Sequence, residues 1–207
     1  MRASVKELKQ ELRERIWRLM EERGIAVFPL PCRGRIPNFK GSDAAAERLR
    51  KLPIWKKAKV VFANPDAAQK KVRELALKDG KAVVMASPRL RSGFVVLQPS
   101  EVKGAESYAA TIKGAFKLGR TVEVPPKPDI IVTGCVAVDR RTFYRLGKGG
   151  GYGDREIELI RKLYGDVPVV TTVHDVQLVE GVPFEDGDYP VDVVVTPTKV
   201  LYRRKLQ

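Results

Sequence analysis

The first hydrophobic residues of the chain recur every three or four positions, as on one face of a helix. These positions are Val5, Leu8, Leu12, Ile16, Leu19 and Met20. Ser4 and Glu7 have the spacing of a capping box, so the helix is predicted to begin directly after Ser4. Gly24 is predicted to end it, because glycine readily takes the left-handed conformation that closes a helix.

Farther along, short apolar runs alternate with longer amphipathic segments. Strands are predicted at 59–63, 81–87, 93–97, 129–138, 167–173 and 191–196, and helices at 44–52, 66–78 and 155–164. Asp43 is predicted to cap the helix at 44–52, residues 29–42 form a long loop, and 98–128 has no clear pattern. This alternation predicts an α/β fold, a three-layer α/β/α arrangement with a mainly parallel sheet.

Length and composition limit the class of protein. The 207 residues contain no repeat or linker, so one domain over residues 1–207 is predicted. No run approaches the roughly 18 apolar residues of a membrane helix, and the N-terminus resembles a charged helix rather than a signal peptide. Cys32 and Cys135 form no metal-binding or CxxC pattern. These features exclude a membrane protein, a secreted mini-protein and a zinc module, and favour a cytoplasmic protein.

Charge is unevenly distributed along the chain. The net charge is +14; residues 1–120 contain 27 basic and 12 acidic residues, and residues 121–207 contain 12 and 13. Such a bias attracts polyanions: nucleic acid, nucleotide phosphates or a polyglutamate-like substrate. The alternative is a solvated, charge-rich surface of the kind found in heat-adapted proteins.

A glycine-rich segment follows the most apolar predicted strand. Residues 147–153 include five glycines, and a predicted helix follows them. Exposed backbone N–H groups, the helix N-terminus and the charges of Arg145 and Lys148 together favour a phosphate site. Asp154 is placed either to cap the helix or to hold a Mg²⁺ ion shared with the phosphates. Because the loop fits neither GxxxxGK[ST] nor GxGxxG, a flexible glycine turn is the alternative.

These residues carry a pattern that resembles the 5-formyltetrahydrofolate cyclo-ligase family. The pattern runs from DIIV at 129–132 through AVDRR at 137–141 to RLGKGGGYGDR at 145–155. The KQELR sequence at 9–13 resembles the family's Lys-x-x-Leu-Arg element, and DYPVD at 188–192 resembles its Asp-x-x-x-Asp stretch. Residues 35–41, 88–93 and 173–177 are similar to the methenyltetrahydrofolate synthetase domain-containing branch.

The resemblance implies a cyclo-ligase-like fold and an ATP- and Mg²⁺-dependent conversion of 5-formyltetrahydrofolate, or a related pterin, to the 5,10-methenyl form. In the family, Mg-ATP phosphorylates the formyl oxygen, N10 attacks the activated carbon, and phosphate leaves. Such chemistry requires mainly positioning and charge stabilisation from the protein. The alternative is a non-catalytic nucleotide- or RNA-binding protein on this fold, with weak nucleic-acid binding through the basic N-terminal part.

The resemblance also implies roles for individual residues. The predicted ATP-binding residues are Lys9, Arg13, Arg145, Gly147, Lys148, Gly149, Gly150, Gly151 and Tyr152. Of these, Lys9, Arg145 and Lys148 are the predicted catalytic residues. Asp154 and Asp188 are the predicted magnesium ligands. Lys9 and Arg13 also fit a solvated helix face, and Asp188 also fits a turn.

Substrate contacts are predicted from position in the fold. Lys40, Arg89 and Arg91 lie in loops beside predicted elements and are expected to meet the glutamate carboxylates of a folate. His174 follows a predicted strand, where open α/β sheets place ligands, so it is a predicted substrate contact with a structural role as the alternative.

Three positions depart from the family pattern. Gly153 replaces a second aromatic residue, Gly187 replaces a histidine, and Ala67 replaces a glutamate used toward folate. The departures lie on the pterin side, so the sequence supports the nucleotide site more strongly than the folate site.

Overall fold

The computed structural model describes residues 3–204. Its α-helices are α1 (Val5–Glu22), α2 (Ser42–Arg50), α3 (Pro53–Lys57), α4 (Lys70–Lys78), α5 (Glu106–Ala109), α6 (Ile112–Leu118) and α7 (Tyr152–Tyr164). Its strands are β1 (Ala26–Val27), β2 (Asn38–Phe39), β3 (Val60–Ala63), β4 (Ala82–Ala86), β5 (Phe94–Leu97), β6 (Arg120–Val122), β7 (Ile130–Thr133), β8 (Ala137–Asp139), β9 (Arg145–Leu146), β10 (Val169–Thr172), β11 (Leu178–Val179), β12 (Val193–Val195) and β13 (Val200–Tyr202). No helix in this described part is both long and apolar enough to cross a bilayer.

The main sheet has eight strands in the order β13-β12-β10-β7-β3-β4-β5-β6. The central strands from β12 to β4 are parallel, as predicted, whereas β13, β5 and β6 pair antiparallel at the two edges. Residues 87–93 join β4 to β5, and residues 196–199 join β12 to β13. These two connections are too short for the crossover that a parallel neighbour requires, so β5 and β13 turn back.

Helices cover both faces of this sheet and give the predicted three-layer arrangement. One face packs against α2, α3, α4, α5 and α6 through a cluster that includes Leu49, Trp55 and Leu75. The other face packs against α7 through Ile157 and Ile160. Helix α1 packs in a third cluster with Val136 and Ala137, beside the small sheet β11-β8-β9.

The predicted single strand at 129–138 is wrong in one respect, because the structure divides it. Strand β7 belongs to the main sheet, and β8 belongs to the small sheet. The chain leaves the main sheet at Gly134, where an added Cβ would lie 2.6 Å from Ile36 Cγ2 and 2.7 Å from Gln69 Oε1, and it bends at Val136. Both halves are buried, so the apolar run continues through the bend and conceals it.

The helix starts differ from prediction at three places, one of which is α7, which begins at Tyr152 and not at residue 155. The capping box of Ser4 and Glu7 is confirmed, but the cap of α2 is Gly41, with φ of +88°, and not Asp43. The helix predicted over 66–78 begins as a 3₁₀ turn at Ala67–Gln69 and becomes α-helical at Lys70. Residues 98–128, which had no clear pattern, form α5, α6 and β6.

The strand order creates a crevice at the centre of the sheet. From β3 the chain adds β4 on one side, and after β6 it returns to place β7 on the other side of β3, followed by β10 and β12. Connections at the carboxyl ends of β3 and β7 therefore diverge, which is where open α/β sheets bind ligands. Asn64 follows β3, and Gly134 follows β7.

Candidate active site

A cavity of about 760 Å³ opens at this crevice. Its walls include residues 64–67 after β3, residues 87–89 after β4, residues 133–134 at the end of β7, and much of the glycine loop. The volume lies within the range of small-molecule and cofactor sites. Each of these walls stands at the carboxyl end of a strand or at the start of α7, so the topology of the sheet builds most of the cavity, and residues 34–36 and 111–112 add to the lining.

The glycine loop forms one wall and ends on the N-terminus of α7. Gly149 and Gly151 have φ of +118° and +69°, values that an L side chain rarely adopts. Gly151 is the N-cap of α7, and no side chain caps the helix there. The N–H groups of the first helical turn are therefore open to an anion. The exposed side chain of Lys148 belongs to the same cavity wall.

The side chain of Arg145 is buried next to the first turn of α7. Its side chain is 2% exposed, its Nη1 donates to the Gly134 carbonyl at 3.3 Å, and its Nη2 lies 3.1 Å from Asp154 Oδ1. A Cβ at Gly153 would lie 2.5 Å from Nη2, so glycine at 153 makes room for the guanidinium. Within residues 3–204, Arg145 Nε is a buried donor without a hydrogen-bond partner.

Two basic residues of α1 lie behind the glycine loop, outside the cavity lining. Arg13 Nε donates to the Gly147 carbonyl at 2.7 Å. Lys9 Nζ is 2.6 Å from Asp188 Oδ2 and 2.9 Å from Glu185 Oε1. Burial opposes the charge of Lys9, but its hydrogen bonds to Asp188 and Glu185 outweigh that effect and raise its pKa. Helix α1 thus fixes the glycine loop and the 185–188 turn to each other.

The carboxylates of Asp154 and Asp188 stand near each other at the edge of this loop. Burial raises the pKa of Asp154, Arg145 opposes the rise, and the charge of Asp188 adds to it. Within residues 3–204, no cluster of three or more His, Cys, Asp or Glu side chains is arranged to hold a metal ion. Two carboxylates still fit magnesium, which typically takes one or two carboxylates and completes its shell with water and substrate phosphates.

A polar, acidic corner forms the inner part of the cavity. Glu156 is 6% exposed, and its Oε2 accepts a hydrogen bond from Asn64 Nδ2 at 2.6 Å. Burial raises the pKa of Glu156 to about 8, and the nearby charge of Asp66 adds to the rise. Burial also raises the pKa of Asp66, against the opposing charges of Lys148 and Arg73. Asp66 and Glu156 are therefore poorly solvated acidic groups that face the cavity.

Arg73 holds the loop that carries Asn64 and Asp66. It is 1% exposed and donates to the carbonyls of Asn64, Asp66 and Ala110 at 2.6, 2.9 and 2.9 Å. Burial lowers its pKa to about 10, so it remains charged at neutral pH. Because this one guanidinium donates hydrogen bonds to all three carbonyls, the backbone of residues 64–66 is held against α4 and α5.

The structure brings together most of the predicted site residues. Of the predicted nucleotide, metal and substrate residues, those that line the cavity are Arg89, Arg145, Gly147, Lys148, Gly150, Gly151, Tyr152 and Asp154. Gly149, Lys9, Arg13 and Asp188 lie outside the lining, next to the glycine loop or to residues that support it.

Three predicted substrate residues lie outside the cavity lining. Lys40 and Arg91 are exposed and do not contribute to its walls. His174 caps a 3₁₀ turn, where its Nδ1 accepts from the Val176 N–H at 3.1 Å, and its ring packs edge-on against Phe39. Burial lowers the pKa of His174. The contacts of His174 are those of a structural residue. Lys40, Arg91 and His174 are therefore not part of the proposed site.

Other residues of the cavity were not singled out from the sequence. They include Arg35, Asn64, Asp66, Lys70, Arg73, Thr133 and Glu156. Asn64 and Thr133 stand at carboxyl ends of buried strands, a position that could have marked them. Glu156 has no such signal, because its burial depends on how α7 meets the sheet.

A sequence model of the 5-formyltetrahydrofolate cyclo-ligase family matches residues 5–197. The chain belongs to this family. The match includes α1, the cavity walls and the glycine loop, so the resemblance found in the sequence is confirmed. A structure of Aquifex aeolicus 5,10-methenyltetrahydrofolate synthetase, determined by NMR, is similar with a TM-score of 0.62 and 25% identity. The structural alignment covers 97% of this chain and 95% of the Aquifex aeolicus chain, which confirms the fold class.

Several curated relatives are longer than this chain. A methenyltetrahydrofolate synthase domain-containing protein of Bos taurus is 39% identical over 204 residues, and that of Homo sapiens is 35% identical over 204 residues. Each alignment covers 93% of this chain and 53% of the relative, so the chain spans about half the length of these curated relatives. The 5-formyltetrahydrofolate cyclo-ligase of Escherichia coli K12 is 44% identical over 72 residues, which is 35% of this chain and 38% of that protein.

Proposed function

We propose that the chain catalyses the ATP- and Mg²⁺-dependent conversion of 5-formyltetrahydrofolate, or a related pterin, to the 5,10-methenyl form. The observation that carries the proposal is the glycine loop, which turns uncapped N–H groups, Lys148 and a buried Arg145 toward one cavity. Family membership supports a ligase, and the neighbouring folds include 5,10-methenyltetrahydrofolate synthetases.

The proposed roles follow from the positions of these groups. Bound Mg-ATP would supply the phosphoryl group that activates the formyl oxygen. The N–H groups at the start of α7 would hold phosphate oxygens, and Lys148 would neutralise their charge. Asp154 and Asp188 would be the carboxylates on the magnesium side. Arg145 would keep Asp154 in place and offer its unpartnered Nε toward the bound anion.

The direct test is turnover of 5-formyltetrahydrofolate with Mg-ATP, followed by the absorbance of the methenyl product. We expect product to form only when both ATP and magnesium are present. Nucleotide binding without any product would instead favour the non-catalytic alternative. The comparisons give no support to nucleic-acid binding, which is not part of the proposal.

Lys148→Ala is expected to weaken nucleotide binding by about 10- to 100-fold, since a hydrogen bond to a charged group contributes roughly 1.5–3 kcal/mol. Isothermal titration calorimetry with ATP and ADP measures the change. Lys162→Ala is the matched control, because Lys162 lies on α7 away from the cavity and pairs with Glu158. Equal affinities for the wild type and Lys148→Ala would contradict the assignment.

Asp154→Asn is expected to raise the magnesium concentration required for half-maximal turnover by about tenfold or more, because a hard cation prefers anionic oxygen. A magnesium titration at saturating ATP measures the shift, and circular dichroism checks the fold. Asp166→Asn, a change outside the cavity lining, is the control. An unchanged magnesium requirement would make Asp154 only a partner for Arg145.

Arg89→Ala is expected to raise the KM for 5-formyltetrahydrofolate several-fold, because Arg89 is an exposed cation on the cavity wall and the substrate carries carboxylates. Arg91→Ala is the matched control, since Arg91 lies two residues away and outside the lining. Steady-state kinetics at 50 and 200 mM salt measure both variants, and the Arg89 effect should shrink at the higher salt. The same KM for both variants would refute a specific contact by Arg89.

A further inference from the structure

The segment that carries Asp188 has little regular structure to hold it in place. Residues 180–192, all of which the structure describes, lie between β11 and β12 and contain no helix and no strand of a sheet. The backbone of this segment forms an isolated bridge between Pro190 and Tyr144. The position of Asp188 therefore depends on contacts with other parts of the chain.

Asp139, the last residue of β8, fixes the beginning of this segment. The residue is 3% exposed. Its Oδ2 accepts hydrogen bonds from the N–H groups of Gly181 and Val182 at 2.8 and 3.0 Å. Its Oδ1 accepts from the N–H groups of Arg141 and Thr142 at 2.8 and 3.1 Å. Asp139 therefore joins the turn between β8 and β9 to the start of segment 180–192.

The two oxygens of this carboxylate have separable roles. Burial opposes the charge of Asp139, but hydrogen bonds from four backbone N–H groups outweigh burial and lower its pKa. The Oδ1 bonds close a local turn of a kind that asparagine also forms. The Oδ2 bonds reach 42 and 43 residues along the chain. Asparagine cannot keep both sets, because its amide nitrogen is a donor and would face two N–H donors.

Contacts farther along the segment transmit this placement to Asp188. Phe184 stacks on Tyr144, which lies in the turn between β8 and β9, with the ring centroids 3.9 Å apart and an angle of 1° between the planes. The Glu185 N–H then donates to Asp188 Oδ2 at 2.9 Å. The segment is thus held to the β8–β9 hairpin at its start and again shortly before the carboxylate.

The same hairpin leads into the glycine loop. Strand β8 pairs antiparallel with β9, and Gly147 directly follows β9. The Tyr189 N–H donates to Asp154 Oδ1 at 3.3 Å, so the residue after Asp188 contacts the other proposed magnesium ligand. One hairpin therefore supports both the glycine loop and the segment that presents Asp188.

We propose that Asp139 is a positioning residue that sets the place of Asp188 relative to Asp154 on the magnesium side of the site. This inference rests on the magnesium role proposed above for these two carboxylates. Asp139 lies outside the cavity lining and acts through residues 181–188.

The test measures ADP affinity by isothermal titration calorimetry, in excess magnesium and in EDTA, for the wild type and Asp139→Asn. We expect magnesium to tighten ADP binding at least tenfold in the wild type and less than threefold in the variant. The affinities in EDTA should agree within twofold. Asp129→Asn is the matched control and should keep the full magnesium effect. Asp129 Oδ2 also accepts two backbone N–H groups, at 2.7 and 2.9 Å, but at the amino ends of β3 and β7.

A double-mutant cycle identifies the carboxylate through which Asp139 acts. Asp188→Asn alone should also reduce the magnesium effect to less than threefold, and adding Asp139→Asn should reduce it no further. A general loss of packing would instead add to the effect of Asp188→Asn and weaken ADP binding in EDTA as well. Should Asp139→Asn not fold, Asp139→Ser replaces it in the same cycle, because serine also closes a local turn but is too short to hold Gly181.

The outcomes separate this inference from the proposed function. If magnesium tightens ADP binding equally in the wild type and the Asp139 variant, or if the variant loses affinity equally with and without magnesium, Asp139 does not position Asp188 and the proposed function stands. If the wild type binds no nucleotide, or binds it independently of magnesium, the proposed function fails and the inference fails with it.

Discussion

Replacing Arg145 by methionine is expected to lower the free energy of unfolding by about 3 kcal/mol. Arg145 is 5% exposed and is the ion-pair partner of Asp154, so its loss leaves a poorly solvated carboxylate without its cation. It also removes the hydrogen bond to the Gly134 carbonyl, which lies at the bend between β7 and β8. Urea denaturation followed by circular dichroism measures the change.

Two further variants identify the cause of this loss. Arg145→Met combined with Asp154→Asn should recover a large part of the stability, because no charge is then left unpaired. Arg155→Met, an exposed arginine stacked on Tyr152, should change stability by less than about 1 kcal/mol. If the double variant is no more stable than Arg145→Met, the ion pair is not what stabilises the start of α7.

Glu156→Gln is expected to remove a fall in the free energy of unfolding that the wild type shows as the pH rises from about 5 to about 8. Burial raises the folded-state pKa of Glu156 to about 8 from an ordinary value of 4.5. Between these two values the folded state holds a proton that the unfolded state has released, so stability falls as pH rises through this window. Below the unfolded-state pKa both states are protonated. There the contribution of Glu156 to the free energy of unfolding is fully present and no longer changes with pH.

The variant has no proton to lose at position 156, so its stability should not show this fall. The wild type should therefore lose on the order of 4 kcal/mol relative to the variant between pH 5 and pH 9, since about three pH units lie between pH 5 and the folded-state pKa and each corresponds to about 1.4 kcal/mol. Chemical denaturation at several pH values measures both curves. Glu158→Gln should follow the wild type, and parallel curves for wild type and Glu156→Gln would refute a raised pKa.

The sequence by itself determined the type and order of the elements that surround the site. Apolar runs at β3, β4, β7 and β10 are buried on both faces, and such runs predict a parallel sheet before any contact is known. The capping box at Ser4 and the glycine segment at 147–153 depend on neighbours within a few residues. Local patterns of this kind can be read from the sequence alone, so the glycine loop and the family could be recognised.

Tertiary structure alone decided which residues share the cavity. The connection at residues 134–136 interrupts the apolar run without altering its composition, because β7 and β8 are both buried, though in different sheets. Glu156 and Glu158 are indistinguishable as acidic residues of one helix, yet only Glu156 faces the sheet and meets Asn64. Lys40 and His174 looked suitable by charge and position, but neither lines the cavity, and His174 instead caps a 3₁₀ turn and packs against Phe39 of β2. Burial and pairing arise from residues far apart in the chain, and for that reason the acidic corner emerges only when the sheet is assembled.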